Sequence, residues 1–128
     1  MRIFLTKVFA RFAAKERIDA ALLRDAVRRA ETGLVDANLG GGVIKQRIAR
    51  AGRGKSGGHR AIVLYRMGSR AIFAYGFSKN VRDNIDAHEI RPFREAAREL
   101  SNVGEFEIAE AVASGMWRET TSDDEDLP

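Results

Sequence analysis

No cysteine occurs in this chain of 128 residues, which excludes disulfides and thiolate metal ligands. Histidine is nearly as scarce: His59 and His88 are the only two, far apart in sequence, and they do not form a metal-ligand cluster. No apolar run approaches the ~18 residues of a membrane span. Met1 to Lys7 is too short and too quickly charged for a signal peptide. The expectation is a cytoplasmic protein with no membrane partner. The most informative absence lies in mid-chain. From Ala37 to Arg82 there is no Asp and no Glu, although the chain holds 18 acids in all.

That acid-free stretch is loaded with bases: Lys45, Arg47, Arg50, Arg53, Lys55, Arg60, Arg66, Arg70, Lys79 and Arg82. A surface cleared of carboxylates and rich in guanidinium and ammonium groups attracts polyanions. At its centre, Arg53-Gly54-Lys55-Ser56-Gly57-Gly58-His59-Arg60 leaves the backbone open to a phosphate. Charge is uneven along the chain. Residues 1–118 carry all 22 bases and 13 of the 18 acids, a net +9, and the last ten residues carry five acids and no base. Residues 1–118 therefore read as one domain, and 119–128 as a disordered acidic tail. Such a tail is either simply solvated or a transient cover for the basic face.

Hydrophobic residues make up 45% of the chain, enough for a packed core. Arg2 to Val8 reads as an opening strand and Phe9 to Lys15 as a short helix. From Glu16 to Gly33, the stripe Ile18, Leu22, Ala26 and Ala30, flanked by Leu23, Val27 and Leu34, has the period of a half-buried helix, with Gly33 as its C-terminal cap. Asp36 to Gly42 reads as a loop with three consecutive glycines. Val43 to Ala49 alternates as a strand with Lys45 and Arg47 on its basic face. His59 to Met67 and Arg70 to Ser78 read as a hairpin about Gly68-Ser69, completing a three-stranded antiparallel meander. On the last strand Phe73, Tyr75 and Phe77 form a row that reads as core before it reads as a base-stacking platform. Ile90, Phe93, Ala97 and Leu100 mark a helix within Asn84 to Leu100, with Asp86 as a possible cap. Pro92 argues for a regular start nearer Glu89 or Ile90. Arg91, Arg94 and Arg98, interleaved with Glu95 and Glu99, read as a solvated face. Glu105 to Ser114 is a last helix with Phe106, Ala109 and Val112, and Ile108 beside them, inward. The fold class is α+β, helices packed on an antiparallel sheet.

Gly54-Lys55-Ser56 is not a phosphate-binding P-loop. That motif needs a glycine where Ala49 stands, and a helix, not a strand, should follow. Without clustered acids a two-metal nuclease is excluded as well, so nuclease chemistry here needs no metal and no cofactor. RNA supplies such a route. Its own 2′-hydroxyl attacks the adjacent phosphate while fixed cations stabilise the charge on phosphorus. An unperturbed imidazole suits the role of base, which makes His59 one candidate, and Lys55, lying between Arg53 and Arg60, is the other. The bland reading is that these groups only hold phosphate.

Two stretches, Gly54-Lys55-Ser56-Gly57-Gly58-His59-Arg60 with its apolar strand and Phe73-Ala74-Tyr75-Gly76-Phe77-Ser78-Lys79-Asn80, resemble the RelE/ParE superfamily of type II toxins, nearest its RelE/HigB-like branch. The resemblance implies a small sheet like that of microbial ribonucleases, with N-terminal helices packed on it. It implies a ribosome-dependent endoribonuclease that enters the ribosomal A site and cleaves mRNA, neutralised by a cognate antitoxin protein. Carried over by position, Arg60 matches the family's phosphate-stabilising arginine. Arg53 and Lys55 fall where the family places basic catalytic or RNA-contacting residues. Lys79 matches the basic position after the last strand, and Asn80 stands where well-known members have arginine. With His59 these are the candidate catalytic residues, and Lys45, Arg47, Arg50 and Arg82 are candidate RNA contacts. A tyrosine that some members use as acid or base has no counterpart, since Ile85 and Asp86 stand there. The superfamily also holds gyrase poisons without nuclease chemistry. A non-catalytic basic RNA-binding module is a further alternative.

Overall fold

Six strands form one sheet in the order β2-β3-β4-β5-β1-β6. In this computed structural model, which describes residues 1–49, 58–65, 69–79 and 85–120, the elements run β1 (Arg2–Thr6), α1 (Lys7–Glu16), α2 (Ala20–Glu31), β2 (Ala37–Gly40), β3 (Val43–Ile48), β4 (His59–Tyr65), β5 (Arg70–Ser78), α3 (Ala87–Leu100), α4 (Glu105–Ala113) and β6 (Trp117–Glu119). The α+β class stands. The expected meander is the antiparallel run β3-β4-β5. It is extended on one side by β2 and on the other by β1, which lies parallel to β5, and by β6. β2 and β6 were not expected: three- or four-residue strands carry too little alternation to announce themselves.

Helices cover both faces, so adjacent strand residues are buried in opposite directions. Leu5, Val63 and Phe73 join Phe9, Leu23 and Ala26 beneath α1 and α2. Phe4, Ile62, Leu64 and Ile72 join Ile90, Ala97 and Ile108 beneath α3 and α4. The aromatic row on β5 is split between these cores. A register shift in the β4–β5 ladder pairs Ile62 with Tyr75 but Val63 with Phe73, skipping Ala74. Phe73 thus faces α1, with its ring 5.1 Å from that of Phe9, whereas Tyr75 and Phe77 face α3. Gly76 sits where α1 crosses the sheet, and a Cβ there would lie 2.4 Å from the Phe12 ring.

Local chemistry sets the helix ends. Thr6 ends β1 and caps α1, its Oγ1 accepting from Phe9 N at 3.1 Å and donating to Ala74 O at 2.9 Å. Arg17, at φ 58°, breaks the chain between α1 and α2, so the long helix starts at Ala20 behind the Asp19 cap rather than at Glu16. Gly33 follows α2 with φ 91°, the left-handed turn expected of it. Leu34, placed on the buried side by periodicity, is exposed beyond that turn. In α3, Asp86 and Glu89 form a reciprocal capping box, and the helix starts at Ala87 despite Pro92. Pro92 cannot donate to the His88 carbonyl, but both residues are exposed, where a missing donor costs less than it would in the core.

Two expected faces are corrected. In α4 the buried residue is Ile108, while Phe106 points outward with 73% of its surface exposed. The arginine face of α3 is not merely solvated: Arg94 Nε donates to Leu39 O at 2.7 Å, and its side chain lies over Gly40 and Gly41. Gly40, Gly41 and Gly42 all have φ between 64° and 88°, which permits this tight β2–β3 turn. No helix among the described residues is long and apolar enough to cross a membrane.

Candidate functional site

Strand alternation places Lys45, Arg47 and Arg60 on the α3 side of the sheet, where Arg47 stands directly opposite Arg60 and Lys45 opposite Ile62. Like charges paired across strands repel. A carboxylate relieves this, and it comes from one residue before the acid-free stretch. Asp36 Oδ2 lies 3.3 Å from Arg60 Nε and 3.5 Å from Lys45 Nζ. The side chains of Arg60 and Lys45 are only 13% and 15% exposed, so these cations are held rather than free in solvent. Arg60 Nη1 also donates to His59 O at 3.3 Å. The guanidinium thus has an ion-pair contact at Nε and a hydrogen bond at Nη1, and its Nη2 has no partner among the described residues.

Asp36 is itself set by a buried amide. Its backbone N–H donates to Gln46 Oε1 at 3.1 Å, and Gln46 Nε2 donates to Ala26 O at 2.8 Å and to Leu34 O at 3.0 Å. Gln46 is 2% exposed on the otherwise apolar face of β3. One side chain therefore ties α2, the approach to β2 and the carboxylate behind Arg60 into one satisfied network. Neither Gln46 nor Asp36 was singled out in the sequence. The available signal was a glutamine between Ile44 and Ile48.

The end of the sheet gathers a second base. Lys79 follows β5, and its N–H donates to Gly58 O at 3.3 Å, continuing the pairing of His59 with Ser78. The exposed Lys79 therefore stands at the end of the sheet where β4 begins, as does Arg60. Ile48 pairs with His59, so Ala49 and Gly58, the described residues flanking 50–57, meet at this end as well. Arg53, Lys55, Asn80, Arg50 and Arg82 lie outside the described residues.

His59 parts company with its neighbour. It faces α1, 6% exposed, with Nε2 3.0 Å from Glu16 Oε1 and its ring edge-on to Phe12 at 5.5 Å. Its Nδ1 is buried and has no hydrogen-bond partner among the described residues. Adjacent strand residues project to opposite faces, so the sheet itself separates His59 from Arg60. Phe73 and Phe77 are buried, as the core reading expects, and Tyr75 packs against Phe93. Asp86 serves as a helix cap.

The far end of the sheet is of opposite character. Arg2 reaches Glu119 and Glu105 at 2.8 Å each, and Arg70 reaches Glu105 at 3.1 Å. These hydrogen bonds raise the Arg2 pKa, Glu119 contributing most, and hold the Glu105 carboxyl below its usual range, Arg70 contributing most. Thr120 N donates to Ile3 O at 2.9 Å at this same end. Glu119 and Thr120, expected at the start of a disordered tail, instead belong to β6 and its hydrogen-bonded end, because Arg2 and Ile3 on β1 supply their partners. Residues 121–128 lie outside the described residues, and Thr120 stands roughly 27 Å from Lys79, judged from the length of β5.

A family model described as "RelE toxin of RelE / RelB toxin-antitoxin system" matches residues 1–120. No curated protein matches the chain.

Proposed function

The chain belongs to the RelE toxin family, and from that premise we propose that this toxin is a ribosome-dependent, metal-independent mRNA endoribonuclease of the cytoplasm. Its partners are the translating ribosome, whose A site it enters, the mRNA there, and an antitoxin protein that neutralises it. The observation that carries the reading is Arg60: a part-buried guanidinium, held at two nitrogens, on a basic sheet face with Lys45 beside it and Lys79 at the same sheet end. A preorganised cation of this kind suits a phosphorane better than a mobile surface arginine does, because its orientation is set before the charge develops.

In the proposed reaction the 2′-hydroxyl of the RNA loses its proton and the oxygen attacks the adjacent phosphorus. The bond from phosphorus to the 5′-oxygen breaks, leaving a 2′,3′-cyclic phosphate and a protonated 5′-hydroxyl. Arg60 stabilises the negative charge on the phosphoryl oxygens. Lys55, in the field of Arg53 and Arg60, takes the 2′-hydroxyl proton. Lys79, as an ammonium, supplies the proton to the leaving oxygen, with Asn80 next to it as a neutral hydrogen-bonding group. Arg47, Arg50 and Arg82 hold flanking phosphates. His59 takes no part in proton transfer in this scheme, because it faces α1 on the other side of the sheet from Arg60.

The test is primer extension on a translated reporter mRNA after induction of the protein, with Arg60→Ala as comparison. In-frame cuts that require translation and vanish in the variant are expected. Growth arrest with intact mRNA and trapped gyrase–DNA complexes would overturn the reading in favour of a gyrase poison. An absence of both arrest and cuts would leave a basic binding module.

A further inference from the structure

We infer that Asp36 is a positioning residue for Arg60, holding the guanidinium in the orientation that meets the scissile phosphate and keeping two like charges together on one sheet face. The inference rests on the nuclease reading for its substrate and on the side-chain network for its geometry. Asp36 Oδ2 takes Arg60 Nε at 3.3 Å and Lys45 Nζ at 3.5 Å, both cations being largely withdrawn from water. In such surroundings Lys45 and Arg60 repel more strongly than they would in solvent. A shared carboxylate between them lowers that cost and fixes their separation. It engages only the Nε side of Arg60. A hydrogen bond from Nη1 runs to His59 O, and Nη2 has no partner among the described residues.

Asp36 is not free to wander. Gln46 holds its backbone, and Gln46 is anchored to α2 and to the Leu34 carbonyl. The orientation of Arg60 is thus transmitted from the α2-side core, through Gln46 and Asp36, to the opposite face of the sheet. A carboxylate in a phosphate-binding site carries a penalty, since it repels the RNA it helps to process. The positioning role therefore predicts opposite effects on binding and on rate.

The experiment uses ribosomes stalled on a defined mRNA and compares the full-length protein with its Asp36→Asn and Asp36→Glu variants. Asp36→Asn is expected to slow single-turnover cleavage about 10- to 100-fold, as loss of a fixed orientation does. The affinity of the complex is expected to stay level or to tighten, because one repelling charge is gone. Asp36→Glu is expected to recover part of the rate, and the shape of the pH–rate profile is expected to stay that of the wild type. Wild-type rates in Asp36→Asn would overturn the inference. So would a loss of rate explained wholly by weaker binding. Loss of the acidic limb of the pH–rate profile would overturn it differently, making Asp36 the proton acceptor. If the wild type itself leaves mRNA uncut, the nuclease reading fails, and the positioning of Arg60 is still read directly from the Arg60 Nε–H resonance in 15N-labelled protein. That resonance is expected to broaden or shift in Asp36→Asn and to be kept in Asp36→Glu. An unchanged resonance in Asp36→Asn would overturn the structural half.

Discussion

The two ends of the sheet use the same residue type in different ways. At the end where β1 and β5 begin, Arg2 and Arg70 meet Glu105 and Glu119, which arrive from α4 and β6. Toward the other end, Arg60 and Lys45 converge on a single oxygen of Asp36, and the exposed Lys79 stands at the sheet end where the Arg60 strand begins. The first arrangement matches each arginine to a carboxylate brought from far along the chain, and it staples the C-terminal elements to the sheet. The second holds cations together and leaves Arg60 Nη2 without a partner among the described residues. An arginine in an acid-free stretch therefore does not declare its role. Arg70 and Arg60 are both in that stretch, and the elements that fold against them decide which is structural.

The sharpest way to break this comparison is to remove one arginine from each end. Arg60→Ala is expected to lower cleavage by about 100- to 1,000-fold, the range for loss of one preorganised charge-stabilising donor. Arg70→Ala should leave cleavage within about threefold, because Arg70 is paired with Glu105 at the opposite end of the sheet from Arg60 and distant sites act nearly independently. Parallel rate measurements on programmed ribosomes decide it, and a collapse of activity in Arg70→Ala would erase the distinction between the two ends. Gln46→Leu sharpens the comparison from beneath. It keeps the bulk of the side chain and leaves the Asp36 N–H and the Leu34 carbonyl without their partner. A loss of about 1–3 kcal/mol is expected in urea denaturation, accompanied by slower cleavage. A stability loss with full activity would detach the network from the site.

The smallest effect is at the opposite end. The pKa of the Glu105 carboxyl is held below the ordinary glutamate range by hydrogen bonds from Arg70 and Arg2. A depressed carboxyl contributes stability above its unfolded pKa and loses it as pH falls through the folded value. Wild type should therefore exceed Glu105→Gln slightly in denaturation midpoint at neutral pH. The difference should shrink as pH falls below about 4.5. Glu105 is fully exposed, so the difference is small, and a gap that instead widens on acidification would contradict the pairing.

Much of the fold was legible because strong local periods carry it. The α2 stripe, the alternation of β3 and the β4–β5 hairpin each state their own structure. β2 and β6 were not legible, because short strands are defined by partners far away in sequence. α4 misled because it is apolar on several sides: Phe106, Ile108 and Val112 all compete to face inward, and only packing against the sheet selects Ile108. The split of Phe73 from Tyr75 and Phe77 was hidden for a similar reason. A one-residue bulge leaves no mark in composition, yet it reverses the face of every residue beyond it.

For the candidate site the division is physical. Composition alone determined that the middle of the chain is basic and free of carboxylates, because charge is a property of residues and not of their arrangement. The motif order around Arg60 and Lys79 pointed to the family, which the match over residues 1–120 bears out. Tertiary structure alone decided that His59 turns toward Glu16 while Arg60 turns away. It also decided that Arg70 is matched by Glu105, and that Asp36, just outside the acid-free stretch, lies behind Arg60. Those outcomes depend on which strand lies beside which and on which side of the sheet each residue faces. Both follow from long-range pairing and from the packing of helices on two faces, and neither is written in any local run of sequence.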